Sequence, residues 1–268
     1  MKPDDLKPPR ALTIAGFDPS GGAGVLADVR TFRDFDLASS AAITSVTFQN
    51  ATSGFGAVDQ TGEAVRAQVI PLMEAFTFVC AKTGMLPTRE VVSEVARLFR
   101  DSDLPRPVVD PVMMASSGQR LMGEDAVGTL VRELLPLARL VTPNISEAET
   151  LTGITITSEA DMRRAAAMVR KLGARAVLIK GGHLPEDAGG TPAVPADAMD
   201  LLDNEGQVTV FRERRIAGAG IRGSGCVLSA AIAAGLGNGN TIEEAVEAAK
   251  SFVLAAIRDS ARLDRGPV

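Results

Sequence analysis

The sequence predicts an α/β protein with a mostly parallel central sheet and helices on both faces. Short, continuously apolar runs alternate with helix-length amphipathic segments, which is typical of a sheet buried on both sides. Polar or glycine-rich residues follow five of the apolar runs. Ligands of such sheets bind beyond the carboxyl ends of the strands, so these five positions together predict one shared site. Any one of them alone could be an ordinary turn.

The elements are expected in a regular order along the chain. The predicted strands, short and apolar, cover residues 11–15, 41–48, 78–81, 107–109, 140–141 and 176–179. The predicted helices are amphipathic and cover the segment that follows the first glycine-rich loop to about residue 37, then 61–76, 88–99, 125–135, 161–172 and 241–262. Residues 184–198 predict an exposed loop, and residues 199–202 and 208–211 predict a two-stranded unit.

Length and composition restrict the class of protein. The chain has 268 residues, is 46% hydrophobic and carries a net charge of −5. This length and composition favour a single globular domain, expected over residues 11–268. Residues 1–10 are polar and are expected to form a leader. A single histidine, His183, excludes multi-histidine metal centres, and two cysteines exclude a disulfide framework. Acidic charge and 4% aromatic residues argue against nucleic-acid binding. No apolar stretch reaches the roughly 18–20 residues of a membrane helix, so we expect a cytoplasmic protein.

The strongest local signal is the glycine-rich segment 217–226, which precedes an apolar run. Gly218, Gly220 and Gly223 have the G-x-G-x-x-G spacing, but the early strand and the acidic ribose partner of a dinucleotide site are missing. A lysine-bearing phosphate loop is excluded because the chain contains no Gly-Lys pair. Converging backbone amides at the start of a helix predict an anion pocket instead.

Cys226 is expected in the first turn of that helix. The helix dipole and the free amides there favour a thiolate, which could act as a nucleophile or a general base. A small hydrophobic residue packed under the helix is an equally weighted alternative. Cys80, which lies in an apolar strand, is predicted to be structural.

Three further segments carry polar groups. The cluster 16–24 predicts either a flexible turn or a close approach of backbone to a ligand, with Asp18 or Asp28 supplying hydrogen bonds. Lys180, at the end of a predicted strand, is interpreted as a phosphate contact. Glu147 suits Mg²⁺ held jointly with phosphate oxygens. A purely structural alternative has Ser146 capping a helix with Glu149 at the reciprocal position.

The motifs, and their order along the chain, resemble those of the hydroxymethylpyrimidine/phosphomethylpyrimidine kinases, which are members of the ribokinase-like superfamily. The resemblance spans about residues 11–258 and rests on 11–24, 49–50, 82–85, 109–113, 142–144 with Glu147, 180–183 and 223–226. It implies a three-layer ribokinase-like fold and a homodimer. The implied enzyme uses ATP and Mg²⁺ to phosphorylate 4-amino-5-hydroxymethyl-2-methylpyrimidine, and then its monophosphate, in thiamine biosynthesis.

The resemblance also implies roles for individual residues. The implied pyrimidine contacts are Gly16, Asp28, Thr47, Gln49, Met85 and Val112. The implied catalytic group comprises Cys226 as the base, the amides of Gly223, Ser224 and Gly225, and Lys180. The implied ATP contacts are Asn144, Lys180, Gly220, Arg222 and Gly223. The implied metal ligands are Glu147 and Asp110.

Some residues depart from the pattern of the family. Phe17 replaces a small polar residue and could crowd the substrate pocket, and Thr47 replaces an aliphatic one. Ile221 and Arg222 replace a Thr-His pair, and Arg222 could clamp phosphate or face solvent. Two alternatives stay open, a pyridoxal/pyridoxine kinase and a non-catalytic ligand-binding relative. Gln49 favours the aminopyrimidine, since an amide can donate to and accept from its edge.

Overall fold

A computed structural model describes residues 8–50, 53–115, 118–182, 197–214 and 223–263. Within these residues, nine strands form one sheet in the order β3-β2-β1-β4-β5-β6-β7-β8-β9. The strands are β1 (Arg10–Phe17), β2 (Ala38–Gln49), β3 (Gly54–Asp59), β4 (Phe78–Thr83), β5 (Val108–Val109), β6 (Leu140–Val141), β7 (Ala176–Gly181), β8 (Asp197–Asn204) and β9 (Gln207–Arg214). The five pairings among β1, β2, β4, β5, β6 and β7 are parallel, which confirms the predicted mostly parallel sheet.

Helices cover both faces of the sheet. They are α1 (Gly24–Asp34), α2 (Gly62–Ala75), α3 (Arg89–Arg100), α4 (Glu124–Thr129), α5 (Ile145–Thr152), α6 (Glu159–Lys171), α7 (Ser224–Gly237) and α8 (Ile242–Leu263). Helices α2 to α6 pack in one core, and α1, α7 and α8 pack in the other. The expected three layers are therefore present.

The first four residues of β7, 176–179, illustrate why a strand of this sheet is continuously apolar. Val177 and Ile179 enter the core under α2 to α6, whereas Ala176 and Leu178 enter the core under α7 and α8. Successive side chains of a strand point to opposite faces, so a strand covered on both faces needs apolar residues without alternation.

Several boundaries differ from the prediction. Helix α1 ends at Asp34 and not near residue 37, because Asp36 adopts a left-handed φ of 59° that a helix cannot continue through. Arg10 belongs to β1 and not to a leader, since it pairs with Ala38 and Phe78. The segment predicted as one helix over 125–135 changes after α4 into a π-helical turn, Leu130–Leu134, and a 3₁₀ turn, Leu135–Leu137. Strand β3 was not predicted.

The two-stranded unit predicted near residue 205 is confirmed as the antiparallel hairpin β8-β9. Its turn places Glu205 at φ 52° and Gly206 at φ 97°, the left-handed geometry that tight hairpins favour. Of the predicted loop 184–198, residues 184–196 lie outside the described part, and Asp197 already begins β8. No described helix is both long enough and apolar enough to cross a membrane.

Gly181, the last residue of β7, tests the packing between β7 and β8. A Cβ atom there would lie 2.0 Å from the Met199 carbonyl oxygen and 2.9 Å from the Met162 methyl group. We expect Gly181→Ala to lower the free energy of unfolding by about 1–3 kcal/mol, measured by urea denaturation. Gly182→Ala is the matched control, because a Cβ there meets nothing within 4 Å. Equal losses for the two variants would contradict this packing.

Candidate active site

A cavity of about 800 Å³ opens at the carboxyl edge of the parallel strands. Residues at or just after the strand ends form its wall, among them Gly16, Thr47, Gln49, Lys82, Met85, Val112, Asn144, Glu147 and Lys180. The first turn of α7 contributes Ser224, Gly225 and Cys226, preceded by Gly223. The structure therefore brings most of the predicted site residues to one cavity, at the edge where the sequence predicted it.

The two glycine clusters of the sequence are in direct backbone contact. Gly223 caps α7 with a left-handed φ of 73°, and a Cβ there would lie 2.2 Å from the Gly22 carbonyl oxygen. A Cβ on Gly24, which has φ 60°, would likewise lie 2.2 Å from the Gly16 carbonyl oxygen. Only glycine permits both the conformation and the approach. The contact holds the amino end of α7, with its unpaired amides and positive dipole, beside the cavity.

Cys226 is the third residue of α7, as predicted, and lines the cavity half-buried. Its predicted thiolate character is wrong for the ligand-free protein. Burial raises the pKa of the Cys226 thiol, although the charge of Lys82 and a hydrogen bond from the Gly24 amide act in the opposite direction. The desolvation of a thiolate here outweighs these two effects. Cys80 is buried in β4 and its pKa is raised by burial to about 12, which agrees with a structural role.

Lys82 follows one of the five apolar runs that predict the site, but the sequence reasoning assigned it no role. Lys82 is among the residues that line the cavity, and its side chain is fully buried. It donates to both carboxylate oxygens of Asp28 at 2.8 Å, and Thr13 Oγ1 donates to the same carboxylate at 2.6 Å. Burial alone would lower the pKa of Lys82, but the charge of Asp28 raises it. A lysine inside an otherwise apolar strand was the available signal, because such a charge needs a buried partner.

A second buried pair joins Asp110 and Lys180. Lys180 Nζ donates to Asp110 Oδ1 at 3.0 Å, and Thr142 and Ser229 hydroxyls each donate to this carboxylate at 3.3 Å. Although burial would raise the pKa of Asp110, the charges of Lys180 and Lys82 lower it. Lys180 also lies against the α7 turn, since a Cβ on Gly225 would lie 3.2 Å from its Nζ. The ammonium group is thus fixed between a carboxylate and the amides of α7.

Asn144 and Glu147 form the cap of α5. The Asn144 side chain accepts from the Glu147 amide at 2.9 Å, and the Glu147 carboxylate accepts from the Asn144 amide at 2.8 Å. The structural alternative with Ser146 and Glu149 is therefore wrong, because the helix begins two residues earlier than that cap requires. Burial raises the pKa of Glu147 to about 7, opposed by Lys180.

Glu147 lines the cavity, whereas Asp110, which pairs with Lys180, is not among the lining residues. The two carboxylates supply oxygen ligands on either side of that lysine's charge. No described group of three or more His, Cys, Asp or Glu side chains is arranged to hold a metal by itself. One or two carboxylates completed by phosphate oxygens and water are the ordinary ligands of Mg²⁺. The donor set therefore suits a magnesium ion that arrives with a nucleotide.

The remaining predicted residues have mixed positions. Gly16, Thr47, Gln49, Met85 and Val112 line the cavity, whereas Asp28 lies behind Lys82 and outside the lining. Thr47 donates its hydroxyl to the Phe17 carbonyl at 3.0 Å, and Phe17 itself forms part of the wall. Gly218, Gly220, Arg222 and His183 lie outside the described residues.

A further pair in the wall was also missed. Asp200 in β8 and Lys250 in α8 form an ion pair, and both residues line the cavity. Asp200 in addition accepts from the Gly181 amide at 2.9 Å. Nothing local to either residue in the sequence predicts this contact, because 50 positions separate them.

The fold and the site define a phosphotransferase of the ribokinase-like α/β class, with helix-start amides, a lysine and carboxylates converging on one cavity. The family model described as phosphomethylpyrimidine kinase matches residues 18–268, and the chain belongs to that family.

Individual relatives and solved structures agree with this assignment. A hydroxymethylpyrimidine/phosphomethylpyrimidine kinase of Rhizobium meliloti is 43% identical over 264 residues, covering 96% of this chain and 95% of that protein. The crystal structure of a phosphomethylpyrimidine kinase from Clostridium difficile has a TM-score of 0.80 at 34% identity, covering 93% and 99% of the two chains. An ADP complex of Bacillus subtilis pyridoxal kinase has a TM-score of 0.83 at 32% identity, covering 94% and 92%.

The Lys82–Asp28 pair can be tested by stability. We expect Lys82→Met to lower the free energy of unfolding by about 3–5 kcal/mol, because it leaves the Asp28 charge buried without its counter-ion. Lys82→Met combined with Asp28→Asn should recover much of that loss, measured by urea denaturation. Lys171→Met, on the exposed end of α6, is the matched control. A loss below about 1 kcal/mol for Lys82→Met would show that the pair does not carry buried charge.

The raised pKa of Cys226 can be tested by alkylation. We expect iodoacetamide to label Cys226 in the folded protein slowly at neutral pH and progressively faster up to about pH 9, since only the thiolate reacts. Cys80 should stay unlabelled throughout, and both cysteines should react in urea. Mass spectrometry of the peptides separates the two sites. Fast labelling of Cys226 that no longer increases above neutral pH would instead indicate a resting thiolate.

Proposed function

We propose that the protein transfers the terminal phosphoryl group of ATP, with Mg²⁺, to the hydroxymethyl group of 4-amino-5-hydroxymethyl-2-methylpyrimidine. A second transfer to the monophosphate gives the diphosphate used in thiamine biosynthesis. The observation that carries the proposal is that Gln49, Cys226 and Lys180 line one cavity, which joins an amide suited to an aminopyrimidine with the groups needed for phosphoryl transfer.

The nucleotide phosphates are assigned to the amino end of α7. The amides of Gly223, Ser224 and Gly225, together with Lys180, would neutralise the charge that spreads over the transferring phosphoryl oxygens. Asn144 lies one strand away from Lys180 and pairs with it through a backbone bridge, which supports its assignment to the nucleotide. Glu147 and Asp110 would hold Mg²⁺, which supplies charge neutralisation on the phosphates.

The substrate alcohol is assigned to the opposite wall of the cavity. Gly16, Thr47, Met85 and Val112 would enclose the ring, with Gln49 at its polar edge. Asp28 would not contact the ring and would act indirectly, by holding Lys82 in place through their ion pair. Lys82 favours the thiolate of Cys226, which accepts the alcohol proton as the bond to phosphorus forms.

Cys226→Ala tests the role of the thiol. We expect kcat to fall by about 10²–10⁴-fold, the usual contribution of a general base, while ADP binding measured by calorimetry stays within about twofold. In the unmodified enzyme kcat should rise with pH above neutrality, because burial raises the pKa of the group that must lose its proton. That rise should vanish in the variant. A near-normal kcat with the rise retained would remove Cys226 from the mechanism.

The choice of substrate is tested by ADP release with the aminopyrimidine alcohol and with pyridoxine in parallel. We expect a higher kcat/KM for the aminopyrimidine, and a preference reduced about tenfold or more in Gln49→Leu, since the amide partner of the aminopyrimidine edge is lost. Gln207→Leu, on the exposed β8-β9 turn, is the control.

A preference for pyridoxine would favour the second candidate, a pyridoxal kinase. The structural likeness to that enzyme and the presence of Phe17 in the cavity wall support this candidate. Binding without turnover of either alcohol would favour a non-catalytic role.

The organisation of the whole molecule is also part of the proposal. We infer a single domain over residues 11–268 in a cytoplasmic homodimer that binds neither nucleic acid nor membrane. The single nine-stranded sheet supports one domain, and the net charge of −5 argues against nucleic acid. Edge strand β3 supports a dimer, because it pairs on one side within the described chain and leaves Phe55 71% exposed.

A further inference from the structure

A second cavity, of about 520 Å³, opens at the amino-terminal edge of the sheet, opposite the candidate active site. Three arginines line it, and each lies one or two residues before the first residue of a parallel strand. Arg106 precedes β5, Arg139 precedes β6 and Arg175 precedes β7. We call this cavity the arginine pocket.

The strand register brings the three arginines together. Val141 pairs with Val177 in the parallel β6-β7 ladder, so Arg139 and Arg175, two residues earlier in each strand, are neighbours across it. The Arg139 amide donates to the Pro107 carbonyl at 2.9 Å, which places Arg106 one residue from the same rung. Like charges on adjacent strands repel, so this arrangement is unfavourable unless an anion compensates it.

Within the described residues, these three guanidinium groups have neither a carboxylate nor another hydrogen-bond partner. Glu205 is the one carboxylate among the described lining residues, against three positive charges. Several other arginines are paired with acids, as at Arg66, Arg163, Arg170 and Arg212. The excess positive charge is notable in a chain whose net charge is −5.

Apart from the three arginines, Asn204 and Glu205, the described lining residues are apolar or cysteine. Val79, 39% exposed, and Leu236 of α7 face the same cavity as the arginines. A guanidinium group offers a planar pair of donors that matches phosphate oxygens, and an apolar wall suits a ring. The volume lies in the range of small-molecule sites.

We propose that the arginine pocket is a second ligand site, which binds a small organic phosphate. Its phosphate is held by Arg139 and Arg175, with Arg106 at the rim, and its apolar part packs against Val79 and Leu236.

This site is remote from the candidate active site along the same elements. Arg175 and Lys180 mark opposite ends of β7, roughly 16 Å apart at the rise of a strand. Cys226 and Leu236 mark opposite ends of α7, about 15 Å apart at the rise of a helix. A ligand in the arginine pocket therefore does not compete with ATP or the alcohol, and the proposal does not depend on the substrate assigned above.

The test uses 4-fluorophenyl phosphate, observed by fluorine NMR while the full-length protein is held with saturating ADP. We expect saturable binding that Arg139→Gln with Arg175→Gln weakens by about tenfold or more, because two charge-assisted contacts are lost. Arg33→Gln with Arg100→Gln removes the same charge from exposed positions on α1 and α3 and should leave the affinity within about twofold. Cys226→Ala should also leave it unchanged. Should the double arginine variant fail to fold, Arg106→Gln alone should weaken binding by about threefold or more.

Three results would overturn the proposal. They are the absence of saturable binding at millimolar concentrations, equal weakening by the Arg33 and Arg100 changes, and equal weakening by Cys226→Ala, which would place the probe in the active site. Inorganic phosphate is the second probe, and we expect it to bind at least about fivefold more weakly because it cannot use the apolar wall. Equal affinity for the two probes would overturn the assignment to an organic phosphate.

Discussion

The backbone contact between the two glycine clusters is the constraint on which the candidate active site depends. Gly22 belongs to the loop after the first strand, and Gly223 caps a helix about two hundred residues later. The two backbones are so close that a Cβ atom on Gly223 would clash with the Gly22 carbonyl oxygen. This approach sets the amino end of α7 against the loop that begins the sheet. Without it, the unpaired amides of α7 and the Cys226 thiol would not face the residues at the ends of β1 and β4.

The charges of the site follow from the same geometry. Parallel strands bring their carboxyl ends to one edge, so Lys82, Asp110 and Lys180 gather there even though they come from separate strands. Buried charges need partners, and each lysine has an aspartate at 3.0 Å or less. The two pairs fix the ammonium groups without side-chain freedom, which suits a site whose task is to neutralise phosphate charge without reorganisation.

The layered fold and most of the cavity wall could be predicted from the sequence, because both rest on local patterns. Unbroken apolar strands such as 176–179 indicate a sheet covered on both faces, and polar residues after the strands indicate the edge that binds ligands. Strand β3 was not predicted because it is an exposed edge strand with two glycines and no apolar alternation. The ion-pair partners of Lys82 and Lys250 were not predicted because each pair joins residues that are far apart in the chain. The thiolate expected at Cys226 was wrong because a dipole is visible in the sequence and desolvation is not.

The raised pKa of Cys226 explains why a thiol is suited to this position. Asp28 and Asp110 both act to raise that pKa, so the site already holds two carboxylates near residue 226. A third carboxylate would need a third cation at the same buried edge, whereas a neutral thiol adds no charge to the resting site. In the proposed mechanism the thiol first releases its proton to water, next to Lys82, whose ammonium group is kept charged by Asp28. The resulting thiolate then accepts the proton of the alcohol, so a cysteine base would be neutral in the resting site and charged only for the transfer.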